Sequence, residues 1–517
     1  MKENQVVLSK IILIFSLILI GMSLIGIIFI FPMAGGDSYI TLVFAKSFQK
    51  GFFYFGNEGP KWGATSPLLV LIFAPFYFFI RHPIWIFKVI NLIFYVGTGY
   101  FIYKISKKLI PHYLIPISLA IWFNPYFSTL AITLYDTIIF CFLFSGLLFC
   151  FLSYLEQNHR SDKQLFFLFV TSGLLSLARP EGIVISLVFM GYLLIDKVIK
   201  NKRITLPKFI GGIIIFSLIS LFYYLILAIS THQILPSSVK ARILTAFYRQ
   251  QEGFSITNLL KINSLTEAGL LLVLLASLFG VIFFIRDLEK RERFGYCFFI
   301  LNLLFLGIYL TKDIRYTSLF LPLAAVFSVY FLNKLFLLFD LKKSLFCLLL
   351  ICCLSLLIIP IAVYKYFNYY LKLPEYSENL IFELDATNFL NNICQPNDKV
   401  LAYEIQVQYY LKCQAISVDG VVGGEILPYL YSSKPEKITE FLLEYKPKYI
   451  IVSSAFNYRP EYKNSFLAKL YFEDKKIKAN ETISLDNIKF IKLINNKQEK
   501  VSGMNSWESI YEINYSI

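Results

Sequence analysis

The sequence predicts a polytopic α-helical membrane protein with a small C-terminal α/β domain. Of its 517 residues, 57% are hydrophobic, a share typical of chains that cross a membrane several times. Apolar stretches long enough to span a bilayer recur up to residue 364, and beyond it charged residues, Asn and Tyr become more frequent. We therefore predict a transmembrane module at 1–364 and a second domain at 365–517.

Eleven segments are predicted as membrane-spanning helices from their length and apolar character. They lie at 11–31, 84–103, 109–124, 137–155, 164–178, 183–197, 207–230, 266–285, 295–310, 317–334 and 345–364. The first is interpreted as a retained helix, because it lacks a signal-peptide cleavage pattern followed by a soluble chain. A further apolar run at 66–80 would cover roughly 22 Å as a helix, less than the hydrocarbon core, and we predict a re-entrant or surface segment there.

Loop lysines and arginines set the predicted orientation. The net charge of +15 does not indicate nucleic acid as a partner, because most positive residues fall in short loops. If 66–80 does not cross, these clusters all lie on the cytoplasmic side: Lys104/Lys107/Lys108, Arg160/Lys163, Lys197/Lys200/Lys202/Arg203, Arg286/Lys290/Arg291/Arg293 and Lys334/Lys342/Lys343. Since this satisfies the positive-inside rule throughout, we predict a cytoplasmic N-terminus and an extracytoplasmic C-terminal domain.

The stretch after the first predicted span carries the first candidate site residue. Asp37 lies at the mouth of a membrane helix, where a carboxylate is costly and by default marks a functional site. Residues 38–50 place apolar and polar side chains at helical spacing, which predicts a helix lying in the membrane interface. The alternative is that Asp37 only caps this helix.

Two further motifs emerge on the same predicted outer face. Asp136 lies where a helix re-enters the membrane, and Arg179-Pro180-Glu181-Gly182 separates two spans. Two carboxylates at one face can perform acid–base chemistry, orient a hydroxyl or hold a cation, and an arginine can clamp a phosphate. The alternatives are that Asp136 caps its helix and that Arg179 forms an ion pair with Glu181.

The predicted outer loops also carry cations that the positive-inside rule does not explain. His232, Lys240 and Arg242 lie in one loop, and Arg315-Tyr316 in another. Binding a phosphate is the natural use of such groups, and attraction to lipid headgroups is the alternative. The sequence contains no His/Cys metal cluster, no phosphate-binding glycine loop and no nucleophile elbow.

The C-terminal part has the pattern of a small α/β domain. Strands are predicted at 399–403, 415–420 and 448–453, and helices at 375–392 and 436–445. Cys394 and Cys413 lie in this part and can form a disulfide if it is outside the cytoplasm, although their spacing alone does not show one.

Taken in order, these motifs resemble those of the GT-C membrane glycosyltransferases that use polyprenyl-phosphate donors. The nearest pattern is that of the mycobacterial terminal arabinofuranosyltransferases and their bacterial relatives. The resemblance is carried by Gly36-Asp37-Ser38-Tyr39-Ile40, Gly63-Ala64-Thr65-Ser66-Pro67, Thr133-Leu134-Tyr135-Asp136-Thr137, Arg179-Pro180-Glu181-Gly182, Leu235-Pro236-Ser237-Ser238 with Ala241-Arg242, and Arg315-Tyr316. The chain departs from the family at Gly36, where a first acidic residue is usual, and at Asp136, where the family has Glu.

The resemblance implies an inverting glycosyltransferase of the bacterial cytoplasmic membrane. It would transfer a sugar from a polyprenyl-phosphate donor to a hydroxyl of a glycan, lipid or protein at the outer face. Asp37 and Asp136 would be catalytic, with a divalent cation between them left open. The donor phosphate would contact Lys240, Arg242, Arg179, Arg315 and His232, supported by Tyr39, Glu181, Tyr316, Thr65 and Ser66.

Two other functions fit parts of this pattern. A transporter or flippase for a lipid-linked sugar would also use outward cations, but it usually has repeated halves and ionisable residues at mid-membrane. The sequence shows neither feature. A non-catalytic relative that only binds glycan would fit the missing first acidic residue.

Overall fold

The computed structural model describes part of the chain, and the chain divides into two compact units. The described residues are 38–51, 54–55, 60–61, 63–80, 83–123, 130–156, 162–200, 204–232, 265–287, 298, 300–303, 318–338, 387–402, 405–417, 436–453, 470, 478–485, 488–495 and 508–515. One unit takes its described residues from Ile84–Tyr224 and Ser255–Tyr369, and the other from Gly35–Pro83, Leu225–Phe254 and Tyr370–Ile517. The C-terminal residues thus share a unit with the segment around residues 38–80. The domain boundary predicted at residue 364 was based on a change in composition, and it stays a prediction.

The described chain begins with two short helices. α1 (Ser38–Ser47) continues into a 3-10 turn, Phe48–Lys50, so residues 38–50 are helical as predicted. α1 does not leave one polar face exposed, because all its residues except Lys46 are buried. Its apolar residues are nearly consecutive from Tyr39 onwards and therefore point in all directions around the helix, which requires protein on every side.

The segment predicted not to cross the membrane is α2 (Pro67–Phe73), which continues as a 3-10 helix, Ala74–Phe78. Its seven α-helical and five 3-10 residues cover about 20 Å. This is short of the roughly 30 Å of a hydrocarbon core. The helix at 115–122, within the span predicted at 109–124, is also short, so whether either segment crosses the membrane stays a prediction.

Longer helices make up the other unit. They are α3 (Ile84–Leu109), α4 (Ile115–Trp122), α5 (Thr137–Glu156), α6 (Asp162–Ala178), α7 (Glu181–Tyr192), α8 (Leu206–Thr231), α9 (Leu265–Asp287) and α10 (Leu321–Leu338), with the last residues of α8 assigned to the unit of α1. Among the described residues, three helical stretches are long and apolar enough to cross a membrane: Ile84–Leu109, Thr137–Tyr154 and Leu206–Thr231. Each coincides with a predicted span, and the total of eleven spans stays a prediction.

Neighbouring helices of this unit pack side by side. α5 contacts both α3 and α6, and α6 contacts α7. α9 and α10 form another pair, in which a Cβ at Gly280 would overlap the carbonyl of Phe327. Only glycine permits two helix backbones to approach this closely. The packing brings the first turn of α5 next to the turn between α6 and α7, where the candidate site lies.

The C-terminal residues form a mixed sheet, six-stranded within the described ranges. Its strands are β1 (Lys399–Ala402), β2 (Gln414–Ser417), β3 (Tyr449–Ser453), β4 (Thr482–Leu485), β5 (Ile488–Asn495) and β6 (Glu508–Asn514), in the spatial order β2-β1-β3-β6-β5-β4. β1 pairs in parallel with β2 and β3, and the remaining neighbours are antiparallel. α11 (Ile405–Tyr410) connects β1 to β2, and α12 (Glu436–Tyr445) lies between β2 and β3, as parallel pairing requires a crossover.

The strands and helices predicted for this region are confirmed where the structure describes it, whereas a separate extracytoplasmic domain at 365–517 stays a prediction. β1, β2 and β3 fall on the three predicted strands, and α12 is the helix predicted at 436–445. Residues 387–393 are helical, in agreement with the end of the helix predicted at 375–392, whose earlier residues lie outside the described ranges. The antiparallel strands β4, β5 and β6 are not among the predictions.

A disulfide joins Cys394 to Cys413, so the question left open by their spacing is answered. The bond links the end of the helix at 387–393 to the residue before β2, and Cys413 belongs to a buried core with Leu390, Val400 and Leu411. It ties down the short α11, which lies between the two cysteines.

Replacing both cysteines of the disulfide by serine, Cys394→Ser with Cys413→Ser, is expected to lower the free energy of unfolding of the C-terminal sheet by about 3 kcal/mol. The bond closes a segment of 19 residues and so restricts the unfolded chain. Urea unfolding of the detergent-solubilised protein, followed by protease protection of the sheet, measures the change. Cys150→Ser, which removes a free cysteine, is the control and is expected to have little effect. Alkylation of both thiols in the unreduced native protein would contradict the prediction.

Candidate functional site

Asp136 lies at the start of α5, after a tightly turned segment. The N–H of Tyr135 donates to the carbonyl of Leu130 over 3.2 Å, and Leu134 has a left-handed φ of 64°. For a residue with a side chain, this conformation costs about 1–2 kcal/mol. It persists only where the surroundings determine it, and such strain is concentrated at functional sites. Here Leu134 is almost fully buried, which holds the turn in place.

Asn91 of α3 holds the same segment from the other side. Its Nδ2 donates to the carbonyl of Ala131 over 2.8 Å, with a longer contact of 3.4 Å to the carbonyl of Tyr135. Asn91 is fully buried within a largely apolar helix. A buried amide that donates to backbone carbonyls of this segment ties it to α3, and so helps to fix the position from which Asp136 projects.

The Arg179-Pro180-Glu181-Gly182 motif forms the turn between α6 and α7. α6 ends at Ala178 and α7 begins at Glu181, and the N–H of Gly182 donates to the carbonyl of Arg179 over 2.9 Å. A Cβ at Gly182 would overlap the backbone of Leu175, so only glycine lets the first turn of α7 pack against the last turn of α6. Pro180 directly precedes the first residue of α7 and suits a helix start, because its φ is fixed there.

The turn and the start of α5 meet in a buried ion-pair cluster. Nη1 of Arg179 donates to Oδ1 of Asp136 over 2.5 Å, and its Nη2 donates to Oε1 of Glu181 over 3.2 Å. The side chain of Arg179 is 7% exposed, that of Asp136 10% and that of Glu181 28%. Because the Arg179–Asp136 pair is so well shielded from water, the loss of either charge would leave the other buried and uncompensated.

The surroundings keep Arg179 charged. Burial would lower the pKa of Arg179, but the carboxylates of Asp136 and Glu181 outweigh it and raise that pKa above its usual value. The helix dipoles also favour the charged forms of these groups. Arg179 follows the C-terminus of α6, and the two acids lie at the N-termini of α5 and α7. Each charge thus has the sign that its helix dipole favours.

The cluster combines two carboxylates with one guanidinium, so its net charge is −1. Such a site accepts hydrogen bonds from sugar or acceptor hydroxyls and attracts a cation, whereas a phosphate would be repelled by the acids as it approached the arginine. The ion pair of Arg179 with Glu181, one of the two interpretations of the motif, is therefore observed. The contact of Arg179 with a donor phosphate stays a prediction.

The remaining predicted site residues fall into two groups. Four are described and lie in the unit of α1: Tyr39, Thr65, Ser66 and His232. Five lie outside the described residues: Asp37, Lys240, Arg242, Arg315 and Tyr316. Tyr39 is buried in α1, and half-buried Thr65 and buried Ser66 precede α2. Exposed His232 directly follows α8 and has a left-handed φ of 52°. The structure thus brings together Asp136, Arg179 and Glu181 from the predicted set.

No group of three or more His, Cys, Asp or Glu side chains that could hold a metal ion is found in the described part of the chain. Asp37, one of the two acids suggested as ligands of a divalent cation, is not in that part. The cation between Asp37 and Asp136 therefore stays a prediction.

Two residues of α3 were missed by the sequence analysis. Asn91 holds the turn before Asp136, and Lys88 is buried one helical turn earlier on the same face. Both interrupt an apolar stretch, and a polar or ionisable side chain within such a stretch is a functional signal. That signal was available in the sequence, but α3 was assessed only for its length and hydrophobicity.

At the level of sequence, no protein-family model matches the chain, and no curated protein matches it significantly. Solved structures do resemble it. ArnT from Cupriavidus metallidurans, solved bound to undecaprenyl phosphate, matches with a TM-score of 0.55 and 10% identity, over 97% of this chain and 97% of that chain. An oligosaccharyltransferase from Archaeoglobus fulgidus, solved with a tethered acceptor peptide containing the NVT sequon, matches with a TM-score of 0.55 and 12% identity, over 88% of this chain and 72% of that chain.

These likenesses show the fold. The chain shares the overall fold of ArnT and of the archaeal oligosaccharyltransferase, and for ArnT it does so along nearly its whole length. At 10–12% identity the likeness assigns no role to any residue of this chain. The resemblance to the mycobacterial arabinofuranosyltransferases stays a prediction.

Proposed function

We propose that the protein is an inverting glycosyltransferase of the bacterial cytoplasmic membrane. It transfers a sugar from a polyprenyl-phosphate donor to a hydroxyl of a glycan, lipid or protein acceptor at the outer face. The observations that carry the proposal are the fold shared with ArnT and the archaeal oligosaccharyltransferase, and the buried cluster of Asp136, Arg179 and Glu181. The shared fold supports this class of protein by analogy, and the cluster supplies carboxylates held in a fixed position.

In the proposed reaction, the acceptor hydroxyl oxygen attacks the anomeric carbon from the face opposite the phosphate. The new C–O bond forms as the bond to the phosphate oxygen breaks, and the hydroxyl proton passes to the carboxylate of Asp37. Polyprenyl phosphate leaves with the electron pair of the broken bond. Because attack and departure occur on opposite faces, the anomeric configuration inverts. Alignment of acceptor and donor contributes much of the rate acceleration.

Each part of the cluster has a separate role in this proposal. Asp136, held by Arg179, accepts a hydrogen bond from a hydroxyl of the donor sugar or the acceptor and orients it. Arg179 holds the two acids in place, so the phosphate is assigned to the cations of the loops, Lys240, Arg242, His232 and Arg315, which stabilise negative charge as it develops. Lys88 is a further candidate for the anionic part of the donor, because it is a buried cation at the same end of α3 as Asn91.

The Cys394–Cys413 disulfide supports the proposed location. Disulfides persist in oxidising compartments and are rare in the cytosol. The bond lies beside the C-terminal sheet, for which the loop charges independently predict a location outside the cytoplasm. The sheet would then lie on the side of the membrane where lipid-linked sugars are consumed in this proposal.

The proposal is tested with the purified protein in lipid nanodiscs. Undecaprenyl-phosphate sugars with a labelled sugar are supplied together with cell-envelope fractions as acceptor. We expect time-dependent release of undecaprenyl phosphate and a labelled product whose anomeric configuration is opposite to that of the donor. Protein-free nanodiscs are the control.

Two results would exclude the proposal. Movement of the lipid-linked sugar across liposome membranes, without release of the lipid phosphate, would indicate a flippase. Saturable binding of glycan without release from any of the donors would indicate a non-catalytic binding protein. Retention of the anomeric configuration would exclude only the single-displacement mechanism.

A further inference from the structure

One tyrosine of the C-terminal part is held from three sides by the segment around residues 38–80. The ring of Tyr409 lies 5.6 Å from the ring of Tyr39, and its hydroxyl shares a hydrogen bond of 3.0 Å with the hydroxyl of Tyr77. Nζ of Lys46 donates to the carbonyl of Tyr409 over 2.7 Å and lies 4.7 Å from the centre of its ring. We call these four residues, Tyr39, Lys46, Tyr77 and Tyr409, the tyrosine clasp.

The three tyrosines of the clasp are well shielded from water, whereas Lys46 is exposed. Tyr39 and Tyr409 are each 1% exposed, and Tyr77 is 8% exposed. Burial raises the pKa of Tyr409 to about 12 and raises that of Tyr77 beyond the usual range. Both phenols therefore stay protonated at physiological pH, and their hydrogen bond is one between neutral groups in a dry environment, where geometry is held tightly.

Further hydrogen bonds and the disulfide fix the two segments that the tyrosine clasp joins. Tyr409 lies on α11, whose end is fixed because Nδ2 of Asn391 donates to the carbonyl of Tyr410 over 3.1 Å. Oδ1 of Asn391 also accepts the N–H of Lys412 over 2.7 Å, and the Cys394–Cys413 disulfide closes the same stretch. On the other side, Nε2 of Gln49 donates to the carbonyl of Tyr77 over 2.6 Å and so joins the 3-10 turn after α1 to the 3-10 helix after α2.

The tyrosine clasp is connected to the proposed reaction by α1, the helix that directly follows the proposed base in the chain. The first residue of α1, Ser38, directly follows Asp37 in the chain. A helix is rigid over ten residues, so contacts at Tyr39 and Lys46 set the direction and position of its first turn. A catalytic group needs such support, since an error of about 1 Å in placement can lower a rate by about 100-fold.

We propose that Tyr409 is a positioning residue for the transfer reaction, which orients α1 through the tyrosine clasp. The inference rests on the proposed function, because it concerns the same reaction. It assigns the C-terminal sheet a role that neither the motifs nor the fold supplies: the sheet is the support from which the first loop is held in its reactive position. The role assigned to Tyr409 is positional and includes no contact with the substrate.

The test uses Tyr77→Phe, Tyr409→Phe and the double variant in the full-length protein. Each single variant removes one hydroxyl and leaves the other buried without this bond, whereas the double variant removes both and relieves that cost. We expect faster hydrogen exchange in Ser38–Ser47 and a kcat about tenfold lower in all three variants, with the KM for the donor unchanged. The melting temperature is expected to fall in the single variants and to recover in the double variant.

The matched control is Tyr515→Phe. Tyr515 also donates its hydroxyl over a short distance, 2.7 Å, to the carbonyl of Pro447 within the sheet, but it takes no part in the clasp. This variant is expected to leave exchange in α1 and kcat as in the wild type.

Two outcomes would overturn the inference. Unchanged hydrogen exchange in α1 of the single variants would show that the clasp does not hold that helix. Recovery of kcat together with the melting temperature in the double variant would reduce the tyrosine pair to a structural contact. Failure of the proposed function would give a different result. The wild type would then transfer no sugar, although hydrogen exchange in α1 would still increase in Tyr409→Phe. In that case the clasp would hold α1 but would have no role in sugar transfer.

Discussion

Asp37→Asn is expected to lower the rate of sugar transfer by about 10²- to 10⁴-fold, the usual contribution of a general base. The amide has nearly the size of the carboxylate but cannot take the proton of the acceptor hydroxyl. Binding of the donor is expected to change little, because its phosphate and lipid contact other groups. The measurement is single-turnover transfer in nanodiscs, with the affinity for undecaprenyl phosphate determined separately.

The control for this prediction is Asp162→Asn. Asp162 forms an exposed ion pair with Lys208 at the start of α6, where both side chains are largely in water. An exposed pair contributes about 0–1 kcal/mol, so transfer should remain near the wild-type rate. Transfer by Asp37→Asn within about threefold of this control would remove Asp37 from the role of base, since the expected loss is at least 100-fold.

Arg179→Met is expected to lower the free energy of unfolding by about 3–5 kcal/mol. Methionine keeps much of the length of the side chain, so the loss arises mainly from leaving the buried Asp136 carboxylate without its partner. Reversible unfolding in mixed detergent and SDS measures the change. Lys208→Met, which breaks the exposed pair with Asp162, is the control and should cost less than about 1 kcal/mol.

A double variant distinguishes the contribution of the ion pair to stability from that of the packing of Arg179. Combining Arg179→Met with Asp136→Asn removes both charges, and the double variant is expected to be more stable than the sum of the two single losses predicts. Strict additivity of the two losses would contradict the view that the buried charges depend on each other. So would a loss in Arg179→Met no larger than that of the Lys208 control.

The local structure of the candidate site was largely predictable, and its long-range pairing was not. Pro and Gly at 180 and 182 indicate a break between helices, and the pairing of Arg179 with Glu181 follows from their closeness in the chain. The partner Asp136 lies 43 residues earlier, and α5 packs on α6 in a way that hydrophobic periodicity does not reveal. Both helices are apolar almost all round, so their sequences do not show which faces meet.

The C-terminal sheet was also predictable in its local structure and not in its long-range contacts. β1 and β3 were predictable because each is a short apolar run bounded by polar residues. β5 is rich in β-branched and aromatic residues from Ile488 to Ile494 and directly follows Asp486-Asn487, which is a strand signal that was available and not used. Tyr409 carries no signal of its importance, because Tyr is common in this chain, which has 35, and its partners are more than 300 residues away.

The separation of the partners in the tyrosine clasp has a consequence for biosynthesis. Lys46 and Tyr409 are 363 residues apart, so a ribosome completes most of the polypeptide before the second partner exists. Until then α1, which has apolar residues on all sides, has its contacts with α2 and the following 3-10 helix but lacks its contact with α11. Nascent chains arrested before residue 409 are thus expected to expose α1 to proteases or chaperones, and assembly around this helix is among the last steps of maturation.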